Sequence, residues 1–308
     1  MKILITDKID PILLELLDKH NIIYEYAIND SLKTVLNKLH LFTGLIVRNR
    51  MQIDNSFLKQ AKNLKFIARY GSGMESINVK KAEEMGIKCF NSAEGNSNAV
   101  AEHSLGLLLC LLNNIYKSMS ELKNKKWNRE NNRGYEIEEK TIGIIGYGNT
   151  GSAFAKKLYN FNCKIIAYDK YKSGFSNPFV EEVDMKSIYQ NSDVISLHIP
   201  LNKETFHLFD KKFIRKMKKK FYFINTSRGK IVNSGDLVSG LKSNKIIGAG
   251  LDVHESEDKT FSKLVFNQNI NYLLNCNNVI MTPHIAGLTK EANKKIPSIL
   301  IKKIIQFK

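Results

Sequence analysis

Between Lys140 and Asp169 the chain runs through an apolar stretch, Ile142–Ile145, and the turn Gly146-Tyr147-Gly148-Asn149-Thr150-Gly151. A helix-forming stretch to Leu158, a second apolar stretch, Lys164–Tyr168, and an acid follow. This is a strand, a G-x-G-x-x-G turn, a helix and a second strand, and it points to an α/β fold more firmly than any other segment. Gly146 permits the tight turn, Gly148 lets the backbone approach a pyrophosphate, and Gly151 lets the helix pack close to the strand. The helix N-terminus, at Asn149 and Thr150, offers N–H groups and a positive dipole end to the phosphates. Asp169 lies 18 residues past Gly151, where a carboxylate can hydrogen-bond a ribose 2′-OH and repel a 2′-phosphate. The spacing therefore predicts NAD rather than NADP, with Lys170 and Lys172 pulling the other way.

At 308 residues the chain is long for one core and suits two domains. Met1-Lys2 leads directly into the apolar Ile3–Thr6, so no secretory leader is expected. The longest apolar run, Leu105–Leu112, is too short to cross a bilayer. Cys89, Cys110, Cys163 and Cys276 are far apart and make neither a metal-ligand spacing nor a disulfide framework, so a cytoplasmic protein without a metal is expected. The net charge of +17 raises the question of nucleic acid, but only seven of the 47 basic residues are arginine, and Asn and Ile are abundant too. That is the signature of A/T-rich codons. The densest basic cluster, residues 211–220, places Phe213, Ile214 and Met217 at amphipathic-helix spacing with a solvated basic face. No nucleic-acid or membrane partner is expected; the charge suits attraction of a small anionic substrate.

The first hundred residues alternate strands and helices. Ile3–Thr6, Ile22–Tyr26, Leu45–Val47 and Phe66–Ala68 read as strands, with a shorter one at residues 87–90. Pro11–Lys19 reads as a helix, and Asp30 or Ser31 can cap another running to about Leu39. One long apolar helix is predicted over 98–122, then a polar segment to Lys140. Past the Gly-rich unit, strands are predicted at Val194–Leu197, Phe221–Asn225, Gly248–Val253 and Val279–Met281, and a last helix from about Lys290. The pattern implies parallel sheets with helices on both faces.

Three of these strands end in unusual polar sequence: Asn225-Thr226-Ser227-Arg228-Gly229, then Gly250-Leu251-Asp252-Val253 followed by Glu255 and Glu257, then Thr282-Pro283-His284-Ile285-Ala286-Gly287. Ligands bind at carboxyl strand ends in open parallel sheets. An arginine, a carboxylate and a histidine there can hold an anion, tune a base and move a proton.

With Val47-Arg48-Asn49, Ala68-Arg69-Tyr70-Gly71-Ser72-Gly73, Gly95-Asn96-Ser97, Val100-Ala101-Glu102-His103 and Leu197-His198-Ile199-Pro200, these motifs cover nearly the whole chain. Together they resemble the D-isomer-specific 2-hydroxyacid dehydrogenase family, in its phosphoglycerate dehydrogenase branch. The resemblance implies two Rossmann- or flavodoxin-like doubly wound parallel-sheet domains around a cleft. One, discontinuous, would take the substrate (1–97 and 285–308), and the other, inserted between them, would bind NAD (98–284). It implies that Arg228 binds the substrate's carboxylate and carbonyl oxygen, that His284 is the acid/base, and that Glu257 pairs with His284 and favours its protonated form. Gly146, Gly148, Asn149, Thr150, Gly151, Asp169, His198, Pro200, Thr226, Asp252 and Gly287 would contact the cofactor, Asp252 at its nicotinamide end. Ser72, Gly73 and Asn96 would meet the substrate, and Arg48 and Arg69 its phosphate, with Arg50, Arg129 and Arg133 as further candidates.

The expected reaction interconverts a D-2-hydroxy acid and its 2-oxo acid, 3-phosphoglycerate first, with glyoxylate or hydroxypyruvate reduction as the rival. A remoter alternative is an NAD(H)-sensing co-regulator of the same fold. A homodimer through the 98–122 region is implied, and no C-terminal regulatory module is expected. Two departures stand out: Glu257 is followed by Asp258 where the family usually has proline, and Glu75-Ser76 replaces its usual Asp-Asn pair.

Overall fold

The computed structural model describes residues 1–258, 260, 261 and 263–307. The chain divides into two compact units, Met1–Asn96 with Leu288–Lys308, and Ser97–Gly287.

The first unit is built on five short strands, β1 (Lys2–Ile5), β2 (Ile23–Tyr26), β3 (Gly44–Val47), β4 (Phe66–Arg69) and β5 (Lys88–Asn91). All pair in parallel, in the order β2-β1-β3-β4-β5. This is the flavodoxin-like order, whose switch point lies between β1 and β3. β3 and β4 are buried at every position, as strands covered on both faces must be. The helices between them start where short polar side chains accept their free N–H groups. Asp10 caps α1 (Pro11–Lys19), with Pro11 at the first helical position, and Ser31 caps α2 (Leu32–Lys38). Asp54 and Asn78 cap the two short helices the periodicity missed, α3 (Asn55–Gln60) and α4 (Val79–Glu84). The terminal helix, Lys290–Phe307, packs on α1 and lays Phe307 against Phe66 and Phe90.

The second unit opens with two helices, α5 (Ser97–Leu112) and α6 (Ile115–Lys123), not the single helix predicted over 98–122. The break has a local cause: Asn114 takes a left-handed conformation (φ 51°), which asparagine tolerates and which ends one helix before the next begins. Seven parallel strands follow: β6 (Thr141–Ile145), β7 (Lys164–Tyr168), β8 (Glu181–Glu182), β9 (Val194–Leu197), β10 (Phe221–Asn225), β11 (Ile246–Leu251) and β12 (Val279–Met281). Their order, β12-β11-β10-β9-β6-β7-β8, reverses between β6 and β9, the Rossmann arrangement. α7 (Asn149–Leu158) follows β6, and α8 (Met185–Asn191), α9 (Lys211–Lys216), α10 (Ser234–Lys242) and α11 (Gln268–Leu274) complete the layers. α5 packs on α7 and the sheet, so most of its apolar residues are core. In α9, Phe213 and Ile214 are buried and the lysines stay outside, as the spacing predicted. Among the described residues, no helix is long and apolar enough to cross a membrane.

Candidate active site

The Gly-rich turn sits at the carboxyl end of β6, beside the switch point. Gly146 has φ +95°, and a β-carbon there would lie 2.3 Å from the carbonyl oxygen of His198, so only glycine fits. α7 starts at Gly148 with no side chain capping it, so its first N–H groups remain for a ligand. Asp169 follows β7 and holds the turn from outside. Its Oδ2 accepts the N–H of Tyr147 at 2.8 Å, and its Oδ1 accepts those of Tyr171 and Lys172 at 2.9 and 3.1 Å. Lys170 is drawn away onto Glu204 at 2.7 Å, and Lys172 donates to the carbonyl of Tyr147 at 3.2 Å. The two lysines that counted against NAD thus have partners. A phosphate-sized approach over bare backbone, with a carboxylate at the ribose position, fits NAD.

The cofactor residues implied by the resemblance divide into two groups. Asn149, Thr150 and Pro200 lie at the surface or half-buried, but His198 and Thr226 turn inward. Thr226 hydrogen-bonds Ser104 on α5 at 2.9 Å. The His198 imidazole is buried against Phe154 and pairs with Ser196 at 2.9 Å, so only its backbone borders the turn.

Burial pushes the His198 pKa from 6.5 down to about 3, so the ring is neutral across the working range. The unfolded chain takes up this proton near pH 6.5, whereas the folded chain takes it up only near pH 3. Stability from this group is therefore complete above about pH 6.5 and falls as pH drops through that window. His198→Gln should flatten the fall of melting temperature between about pH 6.5 and 4. An unchanged slope in the variant would show that the imidazole is not held neutral.

Three loops at the ends of β10, β11 and β12 carry the remaining candidates. Arg228 follows β10, its backbone carbonyl bound by Asn225 at 3.1 Å and its Nη1 donating to the carbonyl of Ser227 at 2.6 Å. Asp252, at the end of β11, is fully buried. Its Oδ1 accepts from the Thr282 hydroxyl at 2.5 Å and the Ile285 N–H at 2.9 Å, and its Oδ2 from the Ala286 N–H at 2.8 Å. Its carbonyl accepts the N–H of His284 at 2.8 Å. His103 on α5, named in a sequence motif but given no role there, meets the Thr282 hydroxyl through its Nε2 at 3.0 Å and completes this network. So held, His284 adopts a left-handed backbone, φ 56°. A non-glycine residue there is uncommon and costs energy, which marks a position fixed by its surroundings.

The His284 Nδ1 lies 2.8 Å from Glu257 Oε2. A carboxylate only accepts, so Nδ1 carries the proton in this pair and Nε2 lies outside it. Glu257 Oε1 in turn accepts the N–H of His254 at 2.5 Å. The unusual Asp258 closes the next turn, donating its N–H to the carbonyl of Lys263 and accepting the Lys263 N–H. Proline could not donate there. Phe261, missed from sequence, brings its ring 4.6 Å from that of His284 and 5.9 Å from the Arg228 guanidinium. Among the described residues no group of histidine, cysteine or acid side chains could hold a metal.

In the other unit, Asp7 fixes the turn after β3 by accepting the N–H groups of Asn49 and Arg50. Arg50 is spent on the carbonyls of Thr6, Ala27 and Asp30. Arg69 is buried, bonded to the carbonyl of Tyr70 at 2.5 Å and to Asn49 at 2.6 Å. Arg48 is exposed. Ser72 donates to Asn96 at 2.6 Å, and its carbonyl accepts from Asn91, so the expected substrate loop is anchored at Ser72 beside Gly73. In the larger unit, Arg133 pairs with Glu130.

A Rossmann sheet with a bare Gly-rich turn and a histidine–glutamate pair at neighbouring strand ends defines the class of dinucleotide-binding α/β oxidoreductases. The family model for D-isomer specific 2-hydroxyacid dehydrogenase, NAD binding domain, matches residues 105–286, and the chain belongs to that family. It is 36% identical over 282 residues to the hydroxypyruvate reductase of Thermotoga maritima, covering 92% of this chain and 89% of that protein. It is 32% identical over 309 residues to the D-3-phosphoglycerate dehydrogenase of Archaeoglobus fulgidus, covering the whole chain but only 57% of that protein. The D-lactate dehydrogenase of Aquifex aeolicus, solved with NAD and lactic acid, superposes with a TM-score of 0.85 at 25% identity, covering all of this chain and 95% of that one.

Proposed function

We propose that this chain reduces a small 2-oxo acid to the D-2-hydroxy acid with NADH, and runs the reverse oxidation with NAD. The observation that carries the reading is the Glu257–His284 pair, which fixes one tautomer of an imidazole at a strand end next to an arginine. NADH, when bound along the Gly-rich turn, supplies the hydride. Arg228 would hold the substrate carboxylate and polarise its carbonyl, as a planar guanidinium can. His284 would give its Nε2 proton to the carbonyl oxygen, and Glu257 would offset the charge on the ring. Phe261 would keep water from both groups.

The substrates we favour are unphosphorylated, hydroxypyruvate or glyoxylate. A phosphate needs free cationic donors, and the guanidinium groups of Arg50 and Arg69 already bind backbone and Asn49. The second reading, phosphohydroxypyruvate, rests on Arg48, which is exposed at the end of β3. Absorbance at the NADH band with hydroxypyruvate, glyoxylate and phosphohydroxypyruvate, each with NADH and NADPH, tests both. Preference for the unphosphorylated acids with NADH is expected. A strong preference for phosphohydroxypyruvate would restore 3-phosphoglycerate as the substrate pair's hydroxy acid. Arg228→Ala should cost about 10²–10³-fold in kcat/KM with NADH affinity unchanged; near-normal activity would remove Arg228 from the mechanism.

The exposed face of α6 supports a homodimer. Ile115, Met119 and Leu122 recur on one side of the helix, each about half exposed, and Trp127 follows at 77%. Apolar patches of this kind mark association surfaces, and sedimentation of the purified chain measures it.

A further inference from the structure

A second histidine–glutamate pair lies beside the first and has no part in the chemistry above. His207 Nε2 meets Glu255 Oε1 at 2.5 Å, and Glu255 Oε2 accepts the N–H of Ser234, the first residue of α10, at 2.8 Å. Both side chains are half-buried. His207 is held in a left-handed conformation, φ 52°, with the Phe206 ring stacked on its own at 4.1 Å. The chain after it runs along the segment that follows Arg228: the N–H of His207 bonds the Lys230 carbonyl, that of Phe209 the Ile231 carbonyl, and that of Asn233 the Phe209 carbonyl. On the other side, a β-carbon on Gly229 would lie 2.0 Å from the backbone of His254, so the Arg228 and Glu257 loops touch with no room for a side chain. One carboxylate thus joins three segments: the 199–210 loop, the start of α10, and the turn in which Glu257 lies two residues on.

We propose that the His207–Glu255 pair is a positioning clamp, which holds the turn carrying Glu257 in register with the loop carrying Arg228 and so keeps Glu257 on His284. The proposal rests on the Glu257–His284 reading of the site. An exposed ion pair would contribute almost nothing, but this carboxylate is bonded through both oxygens. Burial alone would raise the Glu255 pKa; the Ser234 N–H and hydroxyl and His207 outweigh it and lower it, so the group is anionic in the working range. Charged groups near the two pairs, among the described residues, include Asp252, which holds the His284 loop, Arg228, which shares the Phe261 ring with His284, Lys230 beside the His207 backbone, Asp236 in the first turn of α10, and Asp258 next to Glu257.

The test compares His207→Ala and Glu255→Ala with His207→Gln and Glu255→Gln, which keep a hydrogen-bonding group. The first readout is the NMR resonance of the His284 Nδ1 proton, identified by its loss in His284→Ala. In both alanine variants it should broaden or vanish as the proton exchanges with solvent, and in both glutamine variants it should persist. The second readout is a fall in kcat of about tenfold or more in the alanine variants, since small misplacements of acting groups are costly, with the KM for NADH unchanged and kcat largely restored by glutamine. A protected Nδ1 proton in the alanine variants, even with a lower melting temperature, overturns the clamp and leaves a merely stabilising pair. If the alanine variants do not fold, His207→Phe decides, since it keeps a ring to stack on Phe206 but removes the hydrogen bond to Glu255: loss of the resonance or of kcat, with NADH still bound, supports the clamp, and neither changing overturns it. Absence of turnover in the unmodified chain bears on the proposed activity instead, because the resonance reports the clamp without it.

Discussion

Replacing His284 with alanine should lower turnover of the 2-oxo acid about 10²–10⁴-fold, the range for loss of a positioned general acid, and leave NADH binding intact. The expectation follows from geometry. The ring is the proton-bearing partner of Glu257 at 2.8 Å, so its outward nitrogen is the one group in this network placed to protonate a carbonyl oxygen. Nothing about the Gly-rich turn depends on it, because that turn is held by Asp169 and by the backbone of His198. Glu257→Gln gives the contrast. It keeps a hydrogen-bonding group near the imidazole but removes the charge that offsets imidazolium, so an intermediate loss is expected, in kcat more than in KM. Steady-state kinetics beside a fluorescence titration of NADH measures both. Should His284→Ala keep within threefold of normal kcat, the proton must come from elsewhere and the proposed mechanism fails.

The doubly wound fold was legible because its signals are local. Apolar runs of four or five residues between capped helices mark buried parallel strands, and the Gly-rich turn fixes where the second sheet begins. β8 escaped notice because it is two glutamates long and pairs with β7 at the edge of the sheet, where no apolar pattern is required. The break between α5 and α6 escaped for another reason. Asn113-Asn114 interrupts an apolar run, but two polar residues can sit on the outer face of one continuous helix, and only the left-handed backbone of Asn114 separates the two. The proposed acid/base pair was legible through strand-end motifs, and Glu257, rather than Glu255, does meet His284. What the linear order hid is how side chains are shared. Arg69 looked like a free cation and is committed to Tyr70 and Asn49; His198 looked like a cleft residue and is core. His103 stood within a motif but had no role assigned to it, and Phe261 and His207 gave no signal, because each acts through a partner distant in the sequence or through its place on a folded turn.

Asp252→Ala should be the most destabilising single change in the larger unit. By resemblance Asp252 would touch the nicotinamide end of the cofactor, yet its carboxylate is already occupied: both oxygens receive donors from residues 282–286, and the group is fully buried. Alanine would strand the N–H groups of Ile285 and Ala286 and release Thr282 and His103. Each unpaired buried donor costs about 1–3 kcal/mol, and breaking a buried charged network costs about 3–5 kcal/mol in all. For a unit of this size that is a fall in melting temperature of roughly 6–20 °C. Activity should go with it, because the loop that would be released is the one that forces His284 into its left-handed conformation. Asp252→Asn separates the two roles. Its oxygen can still accept from Thr282 and Ile285, while its amide nitrogen would face the N–H of Ala286, so a smaller thermal loss is expected. If Asp252 instead acted mainly by touching the cofactor, Asp252→Asn would melt normally and bind NADH weakly. Melting curves and NADH titration on the two variants therefore discriminate, and only a latch predicts that stability falls first.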